Sequence, residues 1–103
     1  MDNVGILEKI LSQDSNTIIL SEKVVRGIIT DSSQAYLTLE SSDEIETKVF
    51  LYTLQEEDFD IGEEIIFSQQ YLYDFVKREI SLTQKYTTSD MFSKEKTKII
   101  SYT

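Results

Sequence analysis

The residues here that could do chemistry are aromatics, cations and carboxylates. Tyr36, Lys48, Phe50 and Tyr52 stand out, because they alternate with apolar neighbours in two runs, AYLTLE (35–40) and TKVFLYT (47–53). In an extended strand every second side chain shares a face. That turns Ala35, Leu37, Leu39, Val49 and Leu51 towards one side and Tyr36, Thr38, Glu40, Lys48, Phe50 and Tyr52 towards the other. Exposed aromatics stack on nucleobases for ~1–3 kcal/mol each, and a neighbouring lysine meets a phosphate. The same rings also fit a second use, as packing beneath a terminal helix. Tyr71, Tyr73, Lys77 and Arg78 form another group, in which aromatics interleave with cations around the expected turn between a fourth and a fifth strand. An ordinary turn with amphipathic tyrosines uses those residues equally well.

Composition narrows the rest. The 103 residues include no histidine and no cysteine. A Ser–His triad, a thiolate metal site and a disulfide are therefore impossible. Glu56, Glu57, Asp58, Asp60, Glu63 and Glu64 supply hard oxygen ligands. Their spacing matches no calcium loop, so a solvated acidic corner is the expectation. Paired carboxylates can hydrolyse a glycoside only across a cleft, and nothing in the sequence supplies one. Neither an enzyme nor a cofactor nor a small-molecule substrate is expected.

The net charge of −9 is uneven. Residues 1–76 carry four basic against sixteen acidic side chains, and residues 77–103 carry six against three. An acidic body repels phosphate and argues against strong unaided binding of nucleic acid. No apolar run approaches the ~20 residues of a membrane span. The start, MDNVGILEKILSQ, lacks the basic segment of a signal peptide. A nuclear or cytosolic protein with no membrane role is the expectation.

The elements that must position these groups follow from periodicity. Asp2 or Asn3 can cap a short helix over residues 1–12, with Val4, Leu7, Ile10 and Leu11 on one face. Residues 18–20 form a brief apolar run, and 24–30 read as the first strong strand, where Gly27 marks a bulge or bend. Residues 35–40 and 47–53 are the second and third strands, and 64–68 the fourth. The fifth runs over 75–86, with Arg78 interrupting its apolar side. A helix is expected over 88–103, with Met91, Phe92, Ile99 and Ile100 on one face. The alternation of Lys94, Lys96 and Lys98 and the β-branched tail pull the other way. The chain is expected to be one domain, 1–103. The fold class is mainly β: a five-stranded antiparallel OB-fold barrel with a short N-terminal and a C-terminal helix, because closure removes edges that short strands would otherwise expose.

From Val25 to Tyr86 the chain resembles the small single-domain OB-fold proteins of telomere and replication complexes. The resemblance is carried by VRGIITD, AYLTLES, ETKVFLYT, DFDIGEEIIF and FVKREISLTQKY. In length and order it is similar to the Ten-type subunit of the telomeric CST complex, and also to the smallest subunit of replication protein A. The resemblance implies a non-catalytic subunit, nuclear and telomeric, that docks on a larger Stn-type OB subunit through Met91, Phe92, Ile99 and Ile100. Single-stranded DNA would then be bound mainly by the complex. A stand-alone or self-associating single-strand binder of phage or microbial origin, cytoplasmic in that case, is the alternative.

Overall fold

A computed structural model of the protein describes residues 16–55 and 59–102. Six strands form one sheet: β1 (Thr17–Ser32), β2 (Tyr36–Glu40), β3 (Glu46–Phe50), β4 (Glu64–Asp74), β5 (Glu79–Thr88) and β6 (Ser93–Tyr102). Their order is β3-β2-β1-β4-β5-β6, and each neighbouring pair is antiparallel. Three hairpin-linked strands with a fourth returning beside the first make a Greek key. The mainly β, antiparallel expectation holds. Five strands and a C-terminal helix do not. The helix expected at 1–12 lies outside the described residues, and among those residues there is no helix.

β1 is sixteen residues long because the expected short run at 18–20 and the strand at 24–30 are one strand. β4 pairs along nearly all of it, with a register shift between Ile19 and Ser21. A second shift, between Ile29 and Asp31, lies on the β2 side. Gly27 carries no bulge. It is where two backbones crowd: a β-carbon there would lie 2.6 Å from the Glu40 carbonyl oxygen. Only glycine leaves room for β1 to coil against the end of β2 at that point.

The core is one cluster on the concave side. Ile29, Leu37, Leu39, Val49, Leu51, Leu54, Ile65, Phe67 and Tyr86 are buried, with Val25 and Phe59 packed against them. Leu37 and Leu39 of β2, expected to face in, are buried, and on β4 Ile65 and Phe67 are buried on either side of the exposed Ile66. Thr38, expected to face out, is also buried, and its carbonyl accepts a bond from Thr30 Oγ1 at 3.4 Å. Ala35, expected in the core, lies exposed ahead of β2.

The turns explain two misplaced boundaries. β4 runs on to Asp74 and the fifth strand starts at Glu79, so Phe75–Arg78 is a hairpin turn and not strand. Asp74 Oδ1 accepts bonds from the Val76 and Lys77 amides, both at 2.9 Å, and the Arg78 amide reaches the Asp74 carbonyl at 2.8 Å. Arg78 adopts φ 54°, which ends the turn. The β5–β6 turn is built alike: Met91 has φ 66°, its amide donates to the Thr88 carbonyl at 3.0 Å, and the Thr88 amide donates to the Phe92 carbonyl at 2.8 Å. That turn redirects the chain into a strand where a helix was expected.

β6 also explains why the barrel is left open. In a closed barrel the free edge of β5 would meet β3. Here β6 pairs with β5 from Glu79 to Thr87 instead. The sheet nevertheless curls into a half-barrel, because the end of β3 reaches β5. Gln84 on β5 is fully buried, and its Nε2 donates to the Phe50 carbonyl at 2.8 Å. Its Oε1 accepts from the Tyr52 amide, the Thr53 amide and Thr53 Oγ1, each at 2.9 Å. Nε2 also donates to Gln69 Oε1 at 2.8 Å. One side-chain amide thus does what a strand-to-strand backbone ladder would otherwise do.

Candidate nucleic-acid interface

Strand pairing brings the first sequence group together. Tyr36 on β2 lies directly opposite Phe50 on β3, and Thr38 lies opposite Lys48. Residues opposite one another share a face, so Tyr36, Phe50 and Lys48 form one patch on the convex side. Lys48 Nζ sits 4.2 Å from the centre of the Tyr36 ring, a cation–π distance. The Tyr36 hydroxyl donates to Asp31 Oδ2 at 3.4 Å, which fixes the ring from its far end. Past the end of β3 the chain turns inward. Leu51 and Leu54 are buried, and the Phe50 and Tyr52 rings remain 54% and 46% exposed. Their centroids are 6.4 Å apart. The use beneath a terminal helix loses its C-terminal candidate, since residues 93–102 are strand.

A cation joins this row that the sequence reading placed elsewhere. Lys98 on β6 puts Nζ 5.8 Å from the centre of the Tyr52 ring. The row therefore reads Lys48, Tyr36, Phe50, Tyr52, Lys98, with a positive charge at each end. Lys98 was assigned to a helix, so its approach to Tyr52 was not readable. The signal that could have found it is the alternation of Lys94, Lys96 and Lys98, which fits a strand.

The electrostatics around the row are mixed. An open groove of about 450 Å³ beside it is lined by Thr30, Asp31, Thr38, Glu46 and Lys48. Asp31 and Glu46 line that groove with Lys48, so a phosphate there meets attraction from the lysine and repulsion from the two carboxylates. Among the described residues no group of three or more carboxylates could hold a metal ion. Of the acidic corner, Glu56, Glu57 and Asp58 lie outside the described residues.

The second group divides. Tyr71 and Tyr73 belong to β4 itself, opposite Leu82 and Ile80 of β5, and both are half-buried. Tyr73 meets Phe75 edge-on at 5.4 Å. Lys77 and Arg78 lie in the four-residue turn beyond. The tyrosines are thus strand residues packed among apolar neighbours, and the cations are at a hairpin tip.

The third group also divides. Met91 lies in the β5–β6 turn. Phe92 ends that turn and packs on Tyr86 with centroids 6.1 Å apart. Ile99 and Ile100 lie near the other end of β6. At ~3.3 Å per residue, Phe92 and Ile99 are roughly 20 Å apart along the strand. A helix would have gathered the four residues on one face; a strand separates them. No protein family, curated protein or solved structure matches the chain.

Proposed function

We propose that this protein is a non-catalytic, OB-like subunit of an assembly that binds single-stranded DNA, as the resemblance to small telomere and replication subunits implies. It adds a stacking surface to that assembly, and a larger OB-fold partner supplies most of the phosphate contacts. A nuclear, telomeric setting goes with this reading. The observation that carries it is the row of half-buried Tyr36 and exposed Phe50 and Tyr52, with Lys48 and Lys98 at its ends. Rings on an open sheet can stack on successive bases, and cations beside them can meet the backbone. The Greek-key order of the first four strands, with β5 bound to β3 through Gln84, supports an OB-type frame in which β6 has displaced the last step of closure.

The net charge of −9 supports the division of labour, because an acidic body weakens binding by the isolated chain. The test is anisotropy of a fluorescein-labelled single-stranded oligothymidylate at low and at moderate salt. The expected result is weak, salt-sensitive binding that Phe50→Ala and Tyr52→Ala each reduce by about fivefold or more. Binding that neither substitution changes, or none at low salt, refutes the stacking role. Nanomolar binding by the chain alone would overturn the dependence on a partner.

A further inference from the structure

The sheet ends in two very different edges. β3 has five residues, and β6 has ten. Among the described residues, the backbone of β6 pairs only with β5. Its outer side is therefore a row of N–H and C=O groups without a ladder, which is a template for another strand. Side chains decide which strand. Lys94, Lys96 and Lys98 share one face, about 6.7 Å apart at strand spacing. On β5 they lie opposite Tyr86, Gln84 and Leu82, none of them a carboxylate.

A second copy of the chain is a poor occupant. In a continuous sheet made by two-fold pairing of β6 with itself, opposite residues must share a face. Every such register centred between Lys94 and Lys98 sets lysine opposite lysine, and the one centred on Glu95 adds glutamate opposite glutamate. Like charges directly opposite are destabilising. A strand with carboxylates at alternate positions has the reverse property in each of these registers.

We propose that the free edge of β6 is a strand-addition site for an extended protein segment carrying Glu or Asp at every second position. This names how a protein partner attaches, and it rests on the reading that the chain works in an assembly. Lys94 and Lys96 each already have an interaction within the protein. The backbone ladder therefore supplies the affinity, and the lysines supply the choice of partner.

The experiment uses the full chain and three labelled peptides: one alternating Glu with Val, one alternating Lys with Val, and the Glu peptide with alternate amides N-methylated. Anisotropy reads binding, and amide hydrogen exchange of residues 93–102 reads the site. The Glu peptide is expected to bind and slow exchange along β6. The Lys peptide should bind about tenfold or more weakly, and the N-methylated peptide should not bind. A Lys94→Glu, Lys96→Glu double variant should reverse the preference; if it fails to fold, the exchange pattern of the unaltered chain decides. Three results would overturn the site: equal binding of the N-methylated peptide, no slowing of exchange on β6, or concentration-dependent dimerisation through β6. Oligothymidylate titration in the same buffer separates the two readings. Peptide binding without oligonucleotide binding sinks the aromatic row and keeps the edge, and the reverse sinks the edge and keeps the row.

Discussion

Replacing Gln84 with leucine tests the account of how the half-barrel is held. The leucine has similar bulk but no polar atoms, so the substitution removes five hydrogen bonds at once. It leaves the Tyr52 and Thr53 amides and the Phe50 carbonyl without those partners. A buried group so abandoned costs ~1–3 kcal/mol. Thr53 is only half-buried and Tyr52 is exposed, so water meets part of the loss. The net destabilisation should then be about 3–4 kcal/mol, a large share of the ~5–15 kcal/mol typical of a domain. Urea unfolding of the two proteins measures it, and hydrogen exchange at Tyr52 and Thr53 locates it. Both amides should exchange much faster in the variant, and oligothymidylate binding should weaken, since Phe50 and Tyr52 lose their anchor. A midpoint shift worth less than about 1 kcal/mol, with both amides still protected, would refute the claim that Gln84 ties β3 to β5.

Other outcomes follow from the same geometry. Gly27→Ala should destabilise by about 1–3 kcal/mol, because its methyl group would meet the Glu40 carbonyl and neither backbone can move freely; thermal unfolding measures this, and a neutral result would mean that β1 and β2 part easily there. Phe67 is fully buried in the core, so Phe67→Ala should cost about 3–5 kcal/mol in chemical denaturation. Met91 is 82% exposed at φ 66°, so Met91→Gly relieves a left-handed backbone and gives up little packing. It should raise stability by about 0.5–1 kcal/mol, read as a higher melting temperature.

Much of the candidate row was legible in the sequence. Period-two alternation turned Tyr36, Lys48, Phe50 and Tyr52 towards the same side, because strand side chains alternate whatever the sheet does next. It could not say which ring stands opposite which, and the register sets Tyr36 directly across from Phe50. Gln84 was harder to see. It lies two residues beyond Leu82 on the same strand side, and the Tyr52 and Thr53 amides it binds lie more than thirty residues earlier in the chain, out of reach of a local pattern.

The sequence alone determined that the protein is mainly β, that Leu37, Leu39, Val49 and Leu51 face inward, and that no histidine or cysteine chemistry is possible. Those follow from side-chain types and from a local alternation that each strand carries by itself. Tertiary structure decided the fate of the C-terminal segment. Its Met91, Phe92, Ile99 and Ile100 spacing suited a helix, and its lysine alternation suited a strand. The segment pairs with β5 from Glu79 to Thr87, a backbone ladder that an extended chain can make and a helix cannot. That same pairing kept the barrel open, brought Lys98 to Tyr52, and left β6 as the exposed end of the sheet.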